Sequence, residues 1–377
     1  MNFELTSDQK MLAQTVRQFT KKQSPVERFR KLRDEGKSWD REVWAHMGEL
    51  GWLSVPFAED LGGFGAGFVE VAIIAEGFGK TLVAEPFIGS VVLGGMAMAS
   101  AGTSEQCERW LAPMMEGETS LALATTERGA RHNLGTVGMT AAHDGGGWKL
   151  SGEKVFVPNG HEAEHLVVSA MTPDGVGLFV VAADGPGVTR SRLKTLDGRG
   201  AGRLRLDGAS VGDECRLGDP GATAAAVLER VLDCGAAAAC AEGLGICQAT
   251  LDMTTAHLKE RKQFDKPIGA FQALQHRAVE MFVEVELVRS MSILASIAAD
   301  DDDVEARMRA ISAAKTKLAT GGEFVTREAL QLHGGIGITD EHDIGLFFKR
   351  MVVLNALFGD ATHHVERFAS LGSFAAE

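Results

Sequence analysis

What most constrains the fold of this chain is a double change of hydrophobic periodicity. Up to about residue 115 the apolar residues recur at helical spacing. From Thr119 onward come short runs punctuated by Gly, Asp or Pro, and after Asp219-Pro220-Gly221 helical spacing returns almost to the end. Helices, then strands, then helices is not the alternating order of a parallel doubly wound sheet, so a nucleotide fold of that kind is a poor match. The expected class is α+β, with an N-terminal helical domain over 1–118, a middle β-barrel or sandwich domain over 119–217 and a C-terminal four-helix bundle over 218–377. At 377 residues, two or three domains are the natural division.

Local signals refine this outline. Thr6-Ser7-Asp8-Gln9 has capping-box form, Met11, Leu12, Val16 and Phe19 follow at helical spacing, and Pro25 ends the helix. A second helix is expected near Trp39 to Leu50, stopped by Gly51, with others over Phe68 to Gly79, Val92 to Ala101 and Glu105 to Met115. Gly63, Gly65 and Gly67 do not complete G-x-G-x-x-G and follow a helix, so that stretch reads as a plain loop. Strands are expected at Ser120–Ala124, Trp148–Ser151, His165–Ser169, Val176–Ala182 and Gly202–Leu206. Long helices follow at about 222–258, 272–298 and 304–333, and a shorter one at about 342–357.

A formal charge of -13 argues against nucleic acid or an anionic membrane as the main partner. Cys107, Cys215, Cys234, Cys240 and Cys247 have no C-x-x-C or disulfide-like spacing. The first residues lack the apolar core of a signal peptide, and no run approaches the roughly 20 apolar residues of a membrane span. These features point to a cytoplasmic protein. His333, His363 and His364 lack the carboxylate–histidine spacing of a metal site, so no metal is expected.

The chemistry concentrates between Cys234 and Gln272. Its first half is Ala-rich and apolar, and Glu242 is its only carboxylate between Asp233 and Asp252. An unpaired carboxylate in an apolar core costs several kcal/mol, so Glu242 needs a partner or a catalytic task. The second half delivers Arg261, Phe264 and Gln272. A guanidinium can clamp phosphate oxygens, a phenyl ring can stack, and an amide can hydrogen-bond a heterocycle, but a solvated helix end fits the same residues. Gln331-Leu332-His333-Gly334-Gly335-Ile336-Gly337 offers glycines where a backbone could approach a ligand, or an ordinary helix end.

Taken together and in order, these segments resemble the acyl-CoA dehydrogenase family. R-K-Q-F…P-I-x-x-F-Q followed by Q-L-H-G-G-I-G is similar to its flavin-binding segments. The likeness extends to Phe3-Glu4-Leu5-Thr6, Gly51-Trp52-Leu53 with Pro56, Gly62-Gly63, Ala124-Thr125-Thr126-Glu127 and Ser151-Gly152-Glu153-Lys154, and so spans the chain. The resemblance implies FAD as cofactor, lying between the β-domain of one chain and the bundle of its neighbour. By position it assigns Arg261, Phe264, Gln272, Gln331, Gly334 and Gly335 to the ADP half, and Thr126 and Phe156 to the flavin ring. It implies oxidation of an acyl-CoA thioester to the trans-2-enoyl-CoA, electron-transfer flavoprotein as acceptor, and a homodimer, homotetramer or heterotetramer with a related chain.

Three departures from the family pattern stand out. Glu127 is followed by Arg128-Gly129-Ala130-Arg131-His132-Asn133 where members read P-G-A-G-S-D. Pro158 replaces a hydroxyl-bearing residue and removes a backbone donor. The segment that usually carries the catalytic glutamate is Leu357-Phe358-Gly359-Asp360-Ala361-Thr362-His363, with no glutamate. Some members instead place the base on the first bundle helix, near Gly235 here. Glu242 lies seven residues, about two turns, beyond it. That likeness to enzymes of steroid side-chain breakdown makes Glu242 the expected base, with a structural role as the competing reading. Two alternatives stay open: a half-site or non-catalytic subunit of a two-chain complex, and a flavin oxidase.

Overall fold

The computed structural model describes residues 4–372, so Phe3 of the opening motif lies outside them. The N-terminal part holds α1 (Ser7–Lys22), α2 (Val26–Asp34), α3 (Arg41–Glu49), α4 (Phe68–Gly79), α5 (Met96–Ala101), α6 (Ser104–Gln106) and α7 (Ala112–Met115). Strands follow: β1 (Leu121–Ala124), β2 (Thr140–His143), β3 (Trp148–Val157), β4 (His165–Thr172), β5 (Gly175–Ala182), β6 (Val188–Leu193), β7 (Ala201–Val211) and β8 (Arg216–Leu217). Then come α8 (Ala222–Glu260), the small hairpin β9 (Lys262–Gln263) and β10 (Lys266–Pro267), α9 (Gln272–Ala298), α10 (Val304–Lys317), α11 (Glu323–His333), α12 (Gly335–Ile338), α13 (Ile344–Ala356) and α14 (Ala361–Ser370). The order helices, sheet, helices is that expected from the periodicity.

The chain forms two compact units. One contains residues 32–67 and 84–235, the other residues 1–31, 68–83 and 236–377, so the division falls inside α8. In the first unit the strands run β6-β7-β3-β2-β4-β5-β8, with β1 beside β4 in parallel. The long antiparallel pairs β3·β7 and β4·β5 alternate or bury their faces over Trp148, Leu150, Leu166, Val168, Phe179, Val181, Leu204 and Leu206, which form one apolar core. Expected strands are present and longer than read. β2 and β6 were missed, because β2 buries only Ala141 and β6 is an arginine-bearing edge strand without a fully buried residue.

In the second unit the Ala-rich stretch of α8 explains itself by backbone contact with α4. A Cβ at Gly245 would lie 2.0 Å from the Glu76 carbonyl oxygen, and one at Gly79 would lie 2.1 Å from that of Glu242. Ala72, Ala75 and Ala241 fill the rest of this contact. Small residues are needed because anything larger would force the helices apart. The α9 bounds match the expected 272–298. The third expected helix, 304–333, is α10 and α11 joined through a π turn at Leu318–Gly322. Two segments were not foreseen: the highly charged α2 and the last helix α14, which starts beyond the Gly359 stop.

Candidate functional site

In the second unit α8 ends at Glu260, and the β9–β10 hairpin turns the chain back into α9. Phe264 and Asp265 occupy the left-handed region, at φ 54° and 60°. That turn throws the Phe264 ring outward, 84% exposed, with its edge against Phe271 at 6.0 Å. Arg261, Gln272 and Gln331 are also exposed, and Arg261 forms no ion pair among the described residues. Exposed apolar and cationic groups held on strained backbone are unusual for a solvated helix end and are suited to covering a ligand or partner.

The turn after α11 completes this surface. Gly334 adopts φ 64°, and its N–H caps the helix by donating to the carbonyls of Gln331 and Leu330. A Cβ at Gly334 or Gly335 would meet nothing within 4 Å, so the turn is an open backbone shelf. Beneath it, His333 is buried. Its Nδ1 is 2.8 Å from the Ala329 carbonyl, and its ring stacks with those of His257 and His342 at 4.5 and 4.6 Å. Burial pushes the His333 pKa down to about 4, so the stack is neutral at neutral pH. An exposed guanidinium, a free phenyl ring, two exposed amides and an uncluttered glycine turn suit a diphosphate bearing a heterocycle.

The sheet unit supplies the other assigned residues. Thr126 is exposed, and its carbonyl accepts from Val155 N–H at 2.9 Å. Phe156 and Asn159 both have positive φ, 54° and 60°, on either side of Pro158. This tight turn is pinned through the buried Asn159 amide: Trp39 Nε1 donates to its Oδ1 at 3.1 Å, and its Nδ2 donates to Ser120 Oγ at 3.0 Å. Behind the Thr125–Glu127 loop, the fully buried Lys154 donates to Glu127 at 2.6 Å and to Ser169 Oγ at 3.0 Å. Burial works to raise the Glu127 pKa, but Lys154 and the N–H groups of Met139 and Gly138 outweigh it and hold the carboxyl below its usual range.

For Glu242 the structure corrects the catalytic expectation. Arg350, one turn and a half before the end of α13, grips it bidentately, Nε to Oε1 at 2.7 Å and Nη2 to Oε2 at 2.8 Å. Both side chains are buried, at 5% and 9% exposure. A carboxylate with both oxygens engaged by a guanidinium has little basicity left to offer a substrate, and freeing it would strand a buried cation. The partner could not be seen in the sequence because it lies 108 positions away. Asp360 is engaged as well: its Oδ1 accepts the His363 N–H as N-cap of α14. No group of three potential metal-ligating side chains occurs among the described residues, nor any helix long and apolar enough to cross a membrane.

A chain of helices, sheet and helices, carrying a guanidinium, a free phenyl ring and a glycine shelf on its helical part, defines a flavoprotein-type oxidoreductase. Three family models match along its length: the acyl-CoA dehydrogenase N-terminal domain over 6–118, middle domain over 122–209 and C-terminal domain over 225–370. The chain belongs to the acyl-CoA dehydrogenase family, whose members are FAD-dependent enzymes. It is 31% identical to "Probable acyl-CoA dehydrogenase YngJ" of Bacillus subtilis, across 97% of this chain and 98% of that protein. It is 30% identical to acyl-CoA dehydrogenase FadE27 of Mycobacterium tuberculosis, across 90% of each. Among solved structures, the ChsE4–ChsE5 complex of M. tuberculosis matches with a TM-score of 0.89 at 29% identity, covering 98% of both chains. A variant of the Tcur3481–Tcur3483 steroid ACAD matches with a TM-score of 0.86 at 33% identity, covering 97% of both.

Proposed function

We propose that this chain takes part in FAD-dependent α,β-dehydrogenation of an acyl-CoA thioester to the trans-2-enoyl-CoA, as one half of a two-chain enzyme whose partner supplies the proton-accepting carboxylate. FAD supplies the hydride acceptor when bound. Arg261, Phe264, Gln272, Gln331, Gly334 and Gly335 hold its ADP half, and Thr126 and Phe156 lie along its ring. The observation that carries the two-chain reading is the occupied state of the acids: Glu242 is locked to Arg350, and Asp360 caps a helix. Pro158, which cannot donate a backbone hydrogen bond, supports a flavin contact altered from the family pattern. Val279, Phe282, Val283, Leu287, Leu294 and Ile297 leave an exposed apolar row along α9, which supports an oligomer. Two structural neighbours are described as two-chain assemblies, one of them a steroid enzyme, and this supports a bulky acyl group and a related partner chain. Electron-transfer flavoprotein fits as the electron acceptor, and the negative charge and absence of a spanning helix fit a cytoplasmic location.

The test is expression alone and together with a related chain, followed by the visible spectrum and its bleaching by a panel of acyl-CoA thioesters. The co-expressed pair is expected to be yellow and to bleach, the single chain not to. A Glu242→Gln variant of the active assembly should keep turnover within about tenfold of wild type. Complete loss of turnover with FAD retained would restore Glu242 as the base.

A further inference from the structure

α10 carries a fully buried lysine, Lys315, with no ion-pair partner among the described residues. Its Nζ donates to the Leu354 carbonyl at 2.7 Å. Leu354 stands in the last turn of α13, where helix carbonyls lack intrahelical donors and the dipole favours a cation. The turn that follows, Leu357 to Asp360, is held in a costly conformation: Phe358 has φ 60° and Gly359 φ 111°. A Cβ at Gly359 would lie 2.4 Å from His363 Cδ2 and 2.8 Å from His364 Nε2, so only glycine fits. The Phe358 carbonyl is gripped in turn by His364 Nε2 at 3.0 Å. The His364 Nδ1 faces Ser312 Oγ at 3.3 Å, and Arg367 Nη1 donates to the same oxygen at 3.4 Å. Two buried nitrogens, from α10 and α14, thus clamp the carbonyls at either side of one strained turn. Backbone strain persists only where its surroundings over-determine it, and such places concentrate at functional sites.

We propose that Lys315, seconded by His364, is a positioning residue for the reaction, fixing the Leu357–Asp360 turn as a rigid backbone wall for the acyl thioester. This rests on the function proposed above. The groups that face Lys315 are the Cys240 thiol on α8 and Asp360 at the start of α14, and the Lys315 cation in turn faces His364. Burial pushes the Lys315 pKa down to about 8, with Cys240 and Asp360 opposing. The clamp therefore carries its full charge below pH 8 and weakens above it.

The experiment uses the complete, FAD-loaded assembly. Lys315→Met is expected to keep the flavin spectrum and the KM, to lower kcat at least tenfold, and to lose an alkaline decline in kcat centred near pH 8. Amide hydrogen exchange across 357–364 should be at least tenfold faster. An unchanged kcat and pH profile, or unchanged exchange, would overturn the proposal. Should Lys315→Met not fold, Ser312→Ala tests the same clamp through His364 alone, with faster exchange across the turn expected and wild-type exchange overturning it. Wild-type assembly that no acyl-CoA bleaches refutes the reaction reading, while the exchange result still decides whether the turn is clamped.

Discussion

At the scale of single residues, Glu242 shows how far a sequence carries an argument. An acid alone in an Ala-rich helix demanded an explanation, and the demand was sound; the answer, Arg350, was illegible because it comes from a helix more than a hundred positions on. The pair carries a definite energetic signature. Removing one partner leaves an uncompensated buried charge, so Arg350→Met or Glu242→Leu alone should cost about 3–5 kcal/mol. The double substitution should cost less than the worse single one, and urea denaturation of the four proteins completes the cycle. Gly359→Ala offers a second check: positive φ and a 2.4 Å approach to His363 predict a loss of about 1–3 kcal/mol, read as a lower thermal midpoint.

Elements were legible in proportion to their amphipathicity. The long helices were placed nearly to the residue where an apolar face recurs, as over 272–298. Those that failed were the charged α2, the edge strand β6 and the shallow β2, whose solvent-facing sides leave no period to read. The ligand-facing residues were found only by likeness of ordered motifs, since no periodicity marks Arg261 or Gly334. What the structure adds is their state: a phenyl ring thrown outward, a guanidinium without an ion pair, and an open glycine shelf. Arg261→Ala is expected to weaken FAD retention at least tenfold, with the fold intact. Flavin fluorescence released during gel filtration, beside an unchanged circular dichroism spectrum, measures it. The bidentate contact with a diphosphate that would be lost is worth about 1.5–3 kcal/mol.

For the whole molecule, buried titratable groups set the pH range of stability. Burial lowers His161, His333 and His364 to about 4, 4 and 3 from 6.5. Each native imidazole thus binds fewer protons than its unfolded counterpart between those values and 6.5. Stability is complete above pH 6.5 and falls as pH drops through this window, with a slope of up to three protons. Lys315 has the same sign in a different window. Its native pKa of about 8 lies below the unfolded 10.5, so its burial costs stability in full below pH 8 and progressively less up to 10.5. Urea midpoints should rise from pH 4.5 to 6.5 and again, by up to about 3 kcal/mol, from pH 8 to 10; the second rise should vanish in Lys315→Met.

The π turn at Leu318–Gly322 bears on how such a chain tolerates insertion and deletion. A π turn amounts to one residue more than an α-helix needs, so it sets the phase of everything after it. Removing one residue there would let the helix regularise and rotate the following stretch by about 100°. Gln331 and the Gly334 shelf would then swing from the solvent face toward the packed interior, with every side chain of the motif still present. A chain shortened by that one residue should fold and yet come off the column colourless.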